Sequence, residues 1–255
     1  MTQPAHEHDA KTPAAPQASS PPPAPDTAAA FLADQLPLMT RYVDVLCDTG
    51  VSHGLMGPRE VPRMWERHVL NCAVVHPGIA RGAHVADIGA GAGLPGLVLA
   101  IARPDLTMTL VEPLLRRTTW LADVVEELDL PNVEVVRARA DELWGQRTFD
   151  VVTSRAVARI GELARWSLPL VSRGGEMFVL KGSSAAEERD EDEAVLRRLR
   201  VRTAEVETWG EGTVEPPTVT VRLTVDGVAP QLTRKQAGTI DKTKQKPSRR
   251  PDRRA

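Results

Sequence analysis

Residues 84–96, HVADIGAGAGLPG, constrain this chain more than any other stretch. An apolar run reaches Asp87, and Gly89, Gly91, Gly93 and Gly96 then fall within eight residues. Pro95 stands where a helix continuing as LVLAIA would begin. A buried strand, a glycine turn and a helix opening at proline predict the first βα unit of a doubly wound α/β fold with a nucleotide-like ligand. Glycine admits positive φ without steric cost and lets backbone approach a ligand where a Cβ would collide.

From residue 84 onward, strand-like apolar runs alternate with helical periodicity, which predicts a mostly parallel sheet covered on both faces. Strands are expected at 84–88, 107–112, 133–136, 149–153, 176–180, 201–208 and 218–225, with helices at 95–102, 114–128, 160–170 and 185–199. The closing order of strand, helix, strand, strand resembles class I methyltransferases, whose last strand inserts antiparallel. Upstream, 27–50 and 58–76 read as helices capping the sheet, the first closed by Gly50 as its C′ residue. Residues 1–26 are rich in Pro, Ala and Ser without apolar periodicity and are expected to be disordered. That leaves one domain at 27–230, with its helices at 27–80 and a Rossmann-like core at 81–230, before a disordered basic tail at 231–255.

Hydrophobic residues at 42% and charged residues at 26% fit a globular protein, and no apolar stretch approaches a membrane span. The first residues carry neither a basic nor an apolar secretory region. Cys47 and Cys72 lie in helical patterns and are expected to be buried thiols rather than a disulfide or metal pair, which suits a reducing cytoplasm. The net charge of −2 conceals a +7 segment at 234–255 on a body of −9. Such a segment either meets a polyanion, nucleic acid being the commonest, or only solubilises the chain.

Gly91, Gly93 and Gly96 satisfy a dinucleotide fingerprint, with Glu112 about 20 residues on. Three details favour S-adenosylmethionine instead. Asp87 precedes the glycines, where a carboxylate repels pyrophosphate and attracts a sulfonium or ammonium group. No downstream arrangement suits hydride transfer. Asp141, after Ala140, follows the third strand, where an acidic side chain can meet adenine's amino group. Glu112 would hold two ribose hydroxyls, since a carboxylate accepts both; its other reading is a charge at a helix start, and Asp141's is an ordinary loop acid. A nicotinamide-dependent oxidoreductase and a small-molecule methyltransferase stay open on these residues alone.

Several motifs together carry a family resemblance: DIGAGAGLPG, RPD at 103–105, VEPLLRRTTWL, RARADEL, FDVVTSRAVA, LKG and the upstream ERHVLN at 66–71. The chain resembles the bacterial 16S ribosomal RNA guanine-N7 methyltransferase family, also called RsmG or glucose-inhibited division protein B, over residues 31–225. It departs modestly: Ala90 stands where Ser or Thr is frequent, Glu112 replaces Asp, and Arg116 with Arg117 replaces Lys-Arg. The resemblance implies S-adenosylmethionine contacts at Gly89, Leu94, Ala140, Asp141 and Arg155, joined by position at Gly91, Gly93 and Glu112. It also implies 16S ribosomal RNA or the small ribosomal subunit as substrate. A cytoplasmic monomer with neither metal nor membrane partner is expected.

Guanine N7 has a free lone pair and no proton, so its methylation needs alignment rather than a general base. After the fourth strand the chain reads Thr153-Ser154-Arg155-Ala156, not the Asn/Asp-Pro-Pro-aromatic run of many amino-directed enzymes, which argues against adenine-N6 chemistry. Arg155 and Lys181 are expected to face the substrate, binding phosphate or guanine O6. Arg63, Arg67, His68, Arg137 and Arg139 could extend an RNA-facing patch, though a solvated face is the plainer account of each. Aromatic content of 4% predicts recognition through phosphate and shape rather than a stacking platform.

Overall fold

The computed structural model describes residues 21–225. The expectations for residues 1–20 and for the basic tail at 231–255 lie outside them. Residues 21–25 lack regular structure but are tied to the fold: the Trp65 indole donates to the Pro22 carbonyl at 3.1 Å, and Ala24 packs on the core.

The apolar runs form β1 (His84–Ile88), β2 (Thr107–Val111), β3 (Val133–Val136), β4 (Phe149–Thr153), β5 (Val171–Lys181), β6 (Val201–Trp209) and β7 (Thr218–Val225). They build one sheet in the order β3-β2-β1-β4-β5-β7-β6. β1 to β5 run parallel, and β7 alone is antiparallel to both its neighbours. The chain steps outward from β1 to β3 and then returns to lay β4 on the other side of β1. That reversal opens a crevice at the C-terminal ends of β1 and β4, where doubly wound folds place ligands.

Successive side chains of the inner strands enter opposite cores, as a two-residue period requires. Val85, Leu110, Val151 and Phe178 pack with the N-terminal helices, while Ala86, Val111, Val152 and Met177 pack on the other side. Burial on both faces explains why these strands read as continuous apolar runs. The first layer contains α1 (Asp26–Leu32), α2 (Leu36–Val45), α3 (Asn71–Ala73), α4 (Gly96–Ala102) and α5 (Leu115–Glu127); the second contains α6 (Ile160–Ser167), α7 (Ala185–Glu191) and α8 (Glu193–Arg198).

The structure departs from expectation where single residues override periodicity. The helix expected at 58–76 is a 3-10 segment (Pro58–Arg63), a wide π segment (Met64–Leu70) and α3, because Pro62 has no N–H for a continuous α-helix. Gly50 does not close the first helix. It lies within the π turn Leu46–Gly50 beside Trp120, and Gly54, at φ +67°, follows the end of the helical path. β5 begins five residues early because its register with β4 shifts between Phe149 and Val151, bringing Gly175 against the Asp150 carbonyl. The expected helix 185–199 divides at Asp192, whose carboxylate accepts the Gly161 N–H at 2.8 Å.

Candidate active site

A cavity of about 700 Å³ occupies the crevice. Its floor is the turn after β1. Gly89 leaves the strand at φ +74°, and a Cβ there would come within 2.7 Å of Val157, so only glycine lets these two loops meet. The Tyr42 hydroxyl of α2 donates to the Ala92 carbonyl at 2.6 Å and fixes the turn from the helical layer. Glu112, at the end of β2, is 2% exposed and accepts the Gly91 N–H at 3.1 Å and the Leu114 N–H at 3.0 Å. Arg117 adds a guanidinium 3.6 Å from the same carboxylate. Ala138, Ala140 and Asp141 form the wall beyond β3, with Arg139 3.7 Å from the Asp141 carboxylate.

Asp87 lies behind this wall, fully buried, and its Oδ2 accepts the Gly96 N–H at 2.9 Å. Burial raises its carboxyl to about 7, against the lowering effects of the Gly96 bond and the Arg155 charge. Asp87, expected among the ligand contacts, is placed outside the cavity lining, on the face it shares with Val85 and bonded to the turn. Gly93 is likewise turned onto Leu97 of α4, away from the cavity lining. Gly89, Gly91, Leu94, Glu112, Ala140, Asp141 and Arg155 all line it.

Lys181, expected to face the substrate, is engaged by other partners. Its ammonium donates to the Ala158 carbonyl at 2.9 Å and pairs with Glu188 at 2.7 Å, outside the cavity lining. It holds the segment after β4 in place rather than facing the space where a substrate would sit. Arg155 does face that space. Its guanidinium donates to Nδ1 of His68 at 3.1 Å. Arg63, Arg67, Arg137 and Arg139 are exposed, while His68 is mostly buried.

Residues without a local sequence signature complete the wall: Leu55, Met56, Trp144, Trp166 and Val157. The Trp144 indole donates to the Trp166 carbonyl at 2.9 Å, which sets two half-buried aromatic side chains at the cavity despite the chain's low aromatic content. Leu114 and Val157 are exposed at the mouth. Cys47 and Cys72 are buried, unpaired thiols, both pushed up to about 11 by burial. Among the described residues there is no cluster of His, Cys, Asp and Glu that could hold a metal, and no helix long and apolar enough to cross a membrane.

The model of the rRNA small subunit methyltransferase G family matches residues 35–215. The chain belongs to this family. Ribosomal RNA small subunit methyltransferase G of Thermobifida fusca is 52% identical over 200 residues, covering 78% of this chain and 84% of its own. The protein of that name from Salinispora arenicola is 52% identical over 213 residues, covering 80% and 88%. Among solved structures, an O-methyltransferase family protein from Burkholderia thailandensis aligns with a TM-score of 0.50 at 14% identity, covering 74% of this chain and 63% of its own. That likeness concerns the fold alone, a class I methyltransferase Rossmann-like fold.

The donor set of this family member fits S-adenosylmethionine better than a dinucleotide. In a pyrophosphate site the turn and the following helix offer free N–H groups. Here the Gly91 N–H is taken by Glu112, the Gly96 N–H by Asp87 and the Leu97 N–H by the Gly93 carbonyl at 2.8 Å. A phosphate at the turn would meet the Glu112 carboxylate and occupied donors. A sulfonium ligand has no phosphate to place, and Glu112 retains lone pairs for hydroxyls.

Gly96 is where the turn tolerates least change. A Cβ there would overlap Leu110 and lie 2.7 Å from Asp87 Oδ2. Gly96→Ala is expected to cost about 2–3 kcal/mol, lowering Tm by roughly 5–10 °C for a domain of this size. Gly57→Ala, whose nearest atom would be 4.0 Å away, is the control in thermal unfolding followed by circular dichroism.

Proposed function

We propose that this chain transfers a methyl group from S-adenosylmethionine to N7 of a guanine in 16S ribosomal RNA. The observation that carries the reading is membership of the rRNA small subunit methyltransferase G family by a chain whose glycine turn opens on a cavity lined by Glu112, Asp141 and Arg155. Bound S-adenosylmethionine supplies a methyl group already activated on a sulfonium, so the protein's task is alignment and exclusion of water.

In this reading Glu112 binds the ribose hydroxyls and Asp141 the adenine amino group. Gly89, Gly91, Leu94 and Ala140 present backbone and small side chains that leave room for the ligand. Arg155 at the opposite wall orients the guanine through O6 or an adjoining phosphate, both good guanidinium acceptors. N7 carries no proton, so the reaction leaves no proton to remove at that atom, and neither Glu112 nor Asp141 is needed as a base. Lys181 acts through the backbone of the segment that carries Arg155. The small ribosomal subunit as substrate and a cytoplasmic site of action complete the proposal.

Two measurements test it. Isothermal calorimetry should show binding of S-adenosylmethionine and none of NAD, and Glu112→Ala should weaken that binding by roughly 10²–10⁴-fold, the value of two charge-assisted hydrogen bonds. Mapping of N7-methylguanine in ribosomal RNA from a strain lacking the gene should reveal one lost methyl group. An unchanged map removes the RNA assignment; NAD binding removes the cofactor assignment.

A further inference from the structure

His68 is held at both ends by charged side chains, one from the preceding segment and one 87 residues on. Its Nε2 lies 2.7 Å from Glu60 Oε2, and its Nδ1 lies 3.1 Å from the Arg155 guanidinium. Arg155 can only donate, so Nδ1 must accept, and the ring proton must sit on Nε2, where it is donated to Glu60. The two contacts thus specify one tautomer of a neutral ring. The His68 side chain is 12% exposed, so this bond runs in a largely water-free setting. We propose that His68 is the positioning residue for Arg155, with Glu60 selecting the tautomer whose Nδ1 holds the guanidinium at the cavity wall.

The proposal rests on the reading of Arg155 as the group that orients the RNA guanine. Protonated His68 would have no lone pair at Nδ1 and would present a positive charge to the guanidinium. The neutral form is favoured at neutral pH. Burial lowers the His68 value first, opposed by the Glu60 hydrogen bond, and the Arg155 and Arg67 charges lower it further. The charged and titratable groups facing this chain of bonds are Glu60 and Arg67 around His68, with Arg63 acting on Glu60, and Asp87, Cys72 and Tyr42 beside Arg155. Methylation should therefore fail on acidification at a midpoint below the ordinary imidazole value of about 6.5.

The test joins ring-nitrogen NMR of the histidine-labelled protein with methylation of small ribosomal subunits across pH. The His68 signals, assigned by their loss in His68→Asn, should show the Nε2–H tautomer and a midpoint below about 6.5. Asparagine's Oδ1 can accept where Nδ1 did and does not titrate. His68→Asn should keep methylation within about tenfold of the parent and lose the acid limb that follows the His68 titration. Glu60→Gln removes a charge that raises the His68 value, so NMR midpoint and limb should move down together. An Nδ1–H tautomer, or an acid limb in His68→Asn identical to the parent's, overturns the proposal. A parent protein that methylates at no pH overturns the activity reading instead, and the tautomer then decides the His68 assignment alone.

Discussion

Arg155→Ala lowers methylation of the small ribosomal subunit by roughly 10²–10³-fold, the usual cost of removing one preorganised charged group aimed at the reacting partner. The loss arises in the reaction and not in folding. The backbone at this point is held without the side chain: the Leu180 N–H donates to the Ser154 carbonyl at 3.0 Å, and the Ser154 hydroxyl donates to the Ile88 carbonyl at 2.7 Å. Arg155→Lys is expected to recover only part of the rate, because an ammonium keeps the charge but loses the planar fork that can bond His68 and a base edge together. Transfer of a tritiated methyl group to purified subunits, with circular dichroism on the same samples, measures both. A parent-like rate in Arg155→Ala removes the residue from the site.

The same substitution reaches beyond the cavity. Arg155 is one of the groups that hold the buried Asp87 carboxyl down and one of those that lower His68. Without it, Asp87 rises further and His68 rises as well, so both become more protonated at neutral pH. The glycine turn, its buried carboxylate and the arginine after β4 form one electrostatic unit spanning the switch between β1 and β4.

The layout of the sheet was readable because the inner parallel strands are buried on two faces and so appear as apolar runs; β1, β3, β4 and β7 begin and end where the expected runs do. The helical layer was less readable. Pro62 and Asp192 act through one missing N–H and one tertiary hydrogen bond, and neither disturbs the apolar spacing. In the site, the Gly91–Glu112 pairing follows from two adjacent βα units and left a sequence signal. The Glu60, His68 and Arg155 contacts join positions up to 87 residues apart, and no spacing announces them. The direction of Asp87 could have been taken from strand alternation, since it shares parity with Val85, which faces the helical layer. Composition could not place the aromatic residues: two of the five tryptophans, Trp144 and Trp166, line one cavity.

Asp87 makes the stability of this fold fall as the pH rises from 5 to 8. Its carboxyl is raised from 3.8 to about 7 by burial, so between those values the folded chain binds a proton that the unfolded chain has released. The contribution is fully present below 3.8 and is lost as the pH passes through about 7. Over the whole window the shift is worth about 4 kcal/mol, of which about 3 kcal/mol lies above pH 5. Other groups add their own pH dependence: His68 and His76, lowered by burial, make stability rise with pH up to about 6.5, while Arg103 holds Asp105 well below the usual range and Arg147 does the same less strongly for Glu134. The Asp87 contribution is therefore read as a Tm difference between the parent and a variant without the carboxyl, which should change by roughly 6–12 °C from pH 5 to pH 8. Asp87→Asn supplies the test, since its Oδ1 can still accept the Gly96 N–H but carries no charge at any pH. The variant should match or trail the parent at pH 5 and gain on it steadily to pH 8. A Tm difference between variant and parent that stays constant over that interval would falsify the assignment of a protonated Asp87 beneath the glycine turn.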